Sequence, residues 1–172
     1  MKEIFKNLNP TIGCAILVVI HRMKNVESKL EEVLQHHCPI KITEANDKES
    51  VLENSIYIAP SNYHVLIERD GRFSLSVSEI VNFSRPSIDV SFFSLAESYG
   101  ANAAGIVLTG ANKDGSDGLM ILEKMGAKVI VQNIEEAQVK VMPQAALEKV
   151  TTAKELNLKE IAQYINREYA EN

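Results

Sequence analysis

Residues 15 to 20 read Ala-Ile-Leu-Val-Val-Ile without a polar interruption, a β-branched run of the kind that is covered on both faces in a parallel sheet. Ahead of it, Ile4, Phe5 and Leu8 recur at helical spacing and predict a short helix over 2–8. Pro10 ends that helix, because a proline pushes the preceding residue into extended backbone. After the strand, Leu30, Val33 and Leu34 fall on one stripe and predict an amphipathic helix over 26–35. The middle third changes character: 40–43, 55–58, 63–68 and 72–77 are short strand-like segments, and Asp70-Gly71 between the last two is a hairpin turn signal. From Ser87 the alternation of helix and strand returns, with a helix over 88–98, a strand over 104–108, a helix over 115–125 and a strand over 128–131. Gly126 stands where a helix C-cap glycine belongs. A last helix over 158–169 carries Ile161, Ile165 and Tyr169 on one face, with Tyr164 beside that stripe. The expected fold is α/β: a doubly wound, mostly parallel sheet flanked by helices, with an antiparallel β-hairpin insertion. No repeat and no long Ser/Gly-rich linker divides the chain, so 1–172 reads as one domain.

Composition agrees with an ordinary globular core, at 45% hydrophobic and 24% charged residues over 172 positions. A net charge of -5 is the opposite of a nucleic-acid binder's basic footprint, and nucleic acid is not an expected partner. The longest apolar run, 14–20, is far short of a membrane span, and the first residues do not form a secretory signal. Cys14 and Cys38 are not in a Cys-x-x-Cys pair, which fits a reducing compartment. A cytoplasmic location without membrane insertion is expected.

In an open parallel sheet the loops that follow the strands gather at one edge. His21 follows the first strand, and the 104–108 strand runs into Thr109-Gly110-Ala111-Asn112-Lys113-Asp114-Gly115-Ser116-Asp117-Gly118. An imidazole and a carboxylate therefore meet at one rim: Asp114 is placed to accept the Nδ1 proton of His21 and to stabilise its imidazolium, as in a hydrolase triad. Each residue also has a plain reading, His21 as a hydrogen-bonded strand end and Asp114 or Asp117 as helix-start carboxylates. His36 and His37 suit a helix C-terminus, and His64 could line a groove. Phe92 and Phe93 read as core rather than as a stacking platform. With no His/Cys/Asp/Glu cluster at ligand spacing, no metal and no cofactor are expected.

Five separated stretches, Ile20-His21, Tyr57-Ile58-Ala59-Pro60 with His64, Ser84-Arg85-Pro86-Ser87-Ile88-Asp89, Leu108-Thr109-Gly110 with Asp114-Gly115 and Gly118, and Val141-Met142-Pro143-Gln144-Ala145-Ala146, follow in order over 2–150. Together they resemble the catalytic domain of the CheB-type chemotaxis protein-glutamate methylesterases. The resemblance implies a cytoplasmic serine hydrolase that removes methyl groups from glutamates on chemoreceptor helices, in some members also deamidating glutamine. It makes His21 the general base, Asp114 the triad aspartate and the backbone N–H of Ala111 an oxyanion donor, although Ala111-Asn112 stands where the family often has Met-Gly. It also places the nucleophilic serine, on a strand and turn, a few positions before Met1; the regulatory receiver domain that often precedes the family's esterase domain is not expected here. Cys14, Ser87 and Ser116 are poor substitutes, so the chain as written is expected to be nearly inert. The sheet edge left by that strand is expected to promote self-association. Two readings from other classes remain: a catalytically dead receptor-binding module, and a nucleotide-binding domain built on the 110–118 loop, which lacks P-loop and dinucleotide spacing.

Overall fold

The structure is a computed structural model that describes residues 1–21 and 29–170. Two parallel three-stranded sheets and one antiparallel hairpin carry the chain. In the first sheet, β3 (Ser55–Ile58) lies between β1 (Ala15–Val18) and β2 (Ile42–Glu44). In the second, β7 (Lys128–Gln132) lies between β6 (Ala104–Val107) and β8 (Lys154–Leu156). The hairpin pairs β4 (His64–Ile67) with β5 (Phe73–Ser76), and Gly71 turns it with a φ of 76° that a side chain would disfavour.

Period-two alternation shows how the sheets are covered. Ile56 and Ile58 of β3, Ile42 of β2 and Ile130 of β7 share one apolar cluster with α1 (Lys2–Phe5), α2 (Leu30–Gln35) and α6 (Leu158–Glu168), and Ile16, Val18, Ile106 and Leu108 pack against it. Both sheets therefore present a face to the same cluster and form one layer. The opposite faces diverge. Val107, Val129 and Val131 meet α3 (Ile88–Tyr99), α4 (Ser116–Lys124) and α5 (Val141–Lys149), whereas Tyr57 and Ala59 meet Val65, Ile67 and Phe73 of the hairpin. The architecture is the expected doubly wound α/β layer with its antiparallel insertion. Within it β1 and β6 are each paired on one edge, to β3 and β7, and not to each other.

Local chemistry sets the helix ends. Ser87 caps α3, its hydroxyl accepting from Val90 N–H. Asn157 and Glu160 form a reciprocal capping box at the start of α6, and the Ile161–Ala162–Tyr164–Ile165 stripe is buried. Gly126 follows α4 with a φ of 82°. Several boundaries differ from expectation. The strand predicted over 15–20 stops at Val18, where β3 also ends. The helix predicted over 26–35 is α2 from Leu30; residues 26–28 lie outside the described residues, and Val33 is exposed rather than on the buried stripe. α5 and β8 were not predicted as elements.

Candidate active site

His21 leaves the carboxyl end of β1, and Asp114 ends the loop that leaves β6. The two meet, with His21 Nε2 2.7 Å from Asp114 Oδ2. The carboxylate is fully buried and the imidazole keeps about a quarter of its surface open, 0% against 27% exposed. The orientation corrects one expectation: Nε2 faces the aspartate, and Nδ1 faces the side-chain amide of Asn112 at 3.3 Å. With Nε2–H donated to the carboxylate, Nδ1 carries the lone pair and accepts from the Asn112 side-chain amide.

A buried carboxylate costs several kcal/mol unless every lone pair is used, and Asp114 has a full set of donors. Its Oδ1 accepts from Ser87 Oγ at 2.7 Å, Asp89 N–H at 3.2 Å and the Asn82 amide at 3.3 Å, and its Oδ2 accepts from Ile88 N–H at 2.7 Å. Burial alone would raise its pKa, but the bonds from His21, Ile88 N–H, Ser87 and Asp89 N–H outweigh that and hold it at about 2. The anion is thus cradled by the first turn of α3, where free N–H groups point outward. Ser87 serves as the helix cap and as a donor to the site.

Asp89, in the first turn of α3, is the second buried carboxyl. Its Oδ1 accepts Gly118 N–H at 2.7 Å and its Oδ2 accepts the Asn82 amide at 2.7 Å, so Asn82 bridges both aspartates. Burial pushes its pKa up to about 6 against the Gly118 and Gly115 N–H groups, with the charges of Asp114 and Asp117 adding to the rise. The bond to Gly118 needs a close approach of α3 and α4, since a Cβ at Gly118 would stand 2.5 Å from Cβ of Phe92.

Among the other sequence candidates, Ala111 is exposed, and its N–H makes no hydrogen bond among the described residues. It precedes Asn112, which touches the open nitrogen of His21. His64 lines no groove: it is fully buried, with Nε2 on Glu79 O at 2.9 Å and Nδ1 accepting Ser87 N–H at 3.2 Å, which braces the cap residue. Asp117 is exposed and paired with Lys149. His36 and His37 lie in solvent at the end of α2, and Cys14 opens β1, its thiol raised to about 11 by burial. Among the described residues no cluster of ligand side chains could hold a metal ion, and no helix is long and apolar enough to cross a membrane. Sequence reasoning missed Asn82, Asn112 and Asp89 as site residues. Asp89 and Asn112 lie in the stretches that carry the family resemblance, and Asn82 had no signal beyond being a polar loop residue.

Comparison with known proteins places this geometry in context. The family CheB methylesterase matches residues 1–165. A Leptospira interrogans protein is 40% identical over 167 residues, covering 97% of this chain and 86% of that one. A protein of Syntrophus aciditrophicus named protein-glutamate methylesterase/protein-glutamine glutaminase 2 is 36% identical, with 97% of this chain matching 49% of its length, so the chain spans about half of it. The crystal structure of the Thermotoga maritima CheB methylesterase catalytic domain superposes with a TM-score of 0.92 at 28% identity, over 96% of this chain and 89% of that one.

Proposed function

The chain belongs to the CheB methylesterase family, and from that premise we propose that it serves the hydrolysis of glutamate γ-methyl esters on chemoreceptor helices by a Ser-His-Asp mechanism. His21 Nδ1 takes the proton of the attacking hydroxyl. Asp114 stabilises the imidazolium through Nε2–H, and the Ala111 N–H holds the oxyanion of the tetrahedral intermediate. The protonated His21 then gives its proton to the departing methoxide, and water hydrolyses the acyl-enzyme by the same route in reverse. The observation that carries this reading is the 2.7 Å contact between a fully buried, ionised Asp114 and a partly open His21. A carboxylate held that firmly keeps one tautomer and one ring orientation, as a general base requires.

Among the described residues no serine or threonine hydroxyl is hydrogen-bonded to His21. We assign the nucleophile to a serine outside them, ahead of Met1 by the family resemblance. The test compares this chain with the same chain extended by the upstream in-frame codons, both assayed for methanol release from methylated receptor fragments. The expected result is release only by a form carrying the upstream serine, abolished by His21→Ala. Release by the chain as written at ordinary turnover would overturn the assignment of the nucleophile. No release from any form, with retained binding of methylated helices, would favour the second reading, a receptor-binding module.

A further inference from the structure

The segment 77–85 is braced from beneath yet turns its apolar side chains to solvent. Arg85 donates through Nη1 to Val77 O at 2.6 Å and Ser78 O at 2.7 Å, and through Nη2 to Asn62 Oδ1 at 2.8 Å. His64 holds Glu79 O, and Asn82 is tied to both buried aspartates. Val77, Ile80 and Phe83 nonetheless stand exposed, Phe83 completely so. A loop with unattached apolar residues can collapse onto its own protein, and these bonds hold this one away from doing so.

The tip of the segment is a tight turn in which Val81 and Ser84 exchange both backbone hydrogen bonds, at 3.3 and 2.9 Å. Its two central residues, Asn82 at φ 49° and Phe83 at φ 61°, are both left-handed. Asparagine tolerates that conformation, and glycine is the usual second residue. A phenylalanine there is strained, and its fully exposed side chain gains no contact among the described residues. Its neighbours reach the site on both sides: Asn82 bonds Asp114, and Ser84 Oγ accepts from Asn112 at 3.4 Å, the same amide that faces His21. Phe83 therefore emerges at the mouth of the His21–Asp114 pair.

We propose that Phe83 is a specificity residue, the apolar anchor that seats an amphipathic substrate helix with its esterified glutamate over His21, with Ile80 and Val77 extending the contact. The proposal rests on the function inferred above and names the element of the chain that grips the substrate. An esterified glutamate is neutral and bears a methyl group, so it suits an exposed phenylalanine on a turn whose Asn82 reaches two buried carboxyls. Aromatic side chains are favoured as anchors because they bury a large apolar area while fixing only two side-chain torsions.

The test needs no turnover. The full chain is titrated, by fluorescence anisotropy, into a labelled helical peptide that carries a glutamate γ-methyl ester with leucines one turn away. Phe83→Gly should weaken binding by about tenfold or more, while Phe83→Tyr stays within about threefold. Because glycine relieves the left-handed φ, Phe83→Gly should also raise Tm, by about 2–4 °C for a chain of this size. Opposite signs in affinity and stability are the signature of a residue kept for contact. Equal peptide binding by wild type and Phe83→Gly overturns the proposal alone, and a fall in Tm that accompanies the loss of affinity overturns it by making Phe83 a structural residue. Absence of binding by the wild type overturns the functional reading and this proposal with it.

Discussion

Replacing Asp89 by asparagine should make stability less dependent on pH. Asp89 is 2% exposed, and its pKa of about 6 compares with an ordinary 3.8. The unfolded chain therefore releases this proton at lower pH than the folded one. The contribution to stability is complete below about pH 4 and falls away as pH rises through about 6. A difference near two units corresponds to roughly 3 kcal/mol lost at neutral pH, a large share of the margin of an ordinary domain. Asparagine cannot ionise, and its carbonyl can still accept Gly118 N–H, so Asp89→Asn removes this loss. Urea unfolding of wild type and variant from about pH 4 to about pH 8 should show the difference in unfolding free energy moving by roughly 2–3 kcal/mol in favour of the variant. The change with pH is the quantity of interest, since a constant offset measures only the altered bond to Asn82. A difference that stays constant across the range would refute the claim that Asp89 titrates in the folded protein.

Asp114 acts in the opposite sense. Held at about 2 in the folded chain, it contributes about 2 kcal/mol that is present above about pH 4 and lost as pH falls towards 2, an acid limb visible in Tm that Asp114→Ala should abolish. That variant also leaves Ser87 Oγ and the N–H groups of Ile88 and Asp89 without an acceptor, and should cost about 3 kcal/mol or more by chemical unfolding. Gly118→Ala drives a Cβ into Phe92 and the Asp89 backbone, so a loss of about 1–3 kcal/mol is expected, measured by the same means. We further propose that the edges of β1 and β6 that pair with no strand among the described residues favour self-association, which sedimentation velocity over a range of concentrations reads as a rising mean mass; a concentration-independent monomer would refute it.

The elements legible in the sequence were those with a strong local signal. The apolar run of β1, the Asp70-Gly71 turn and the stripe of α6 each needed only a few residues to declare themselves. α5 escaped because its buried positions Ala145 and Ala146 are small and Pro143 looks like a helix breaker, although in the first turn a proline forfeits no intrahelical bond. β8 escaped because Lys154 and Glu155 are charged and exposed, as suits an outer strand. At the site, His21 and Asp114 were readable from topology, since both follow parallel strands. The ring orientation was not, because it depends on Asn112, which lies 91 residues from His21. Asn82 could not be found from sequence either, since its role comes from a left-handed turn that places one amide between two carboxyls.

The two partners of the site are carried on separate hydrogen-bonded ladders, His21 by the one that contains β3 and Asp114 by the one that contains β7. Their contact is thus a gauge of how the two sheets of the one layer are seated against the common cluster beneath them. Pressure, a cavity at Ile130 or a loosened α6 would separate imidazole from carboxylate while each ladder stayed intact. The proposed proton relay should therefore fail well before the fold does.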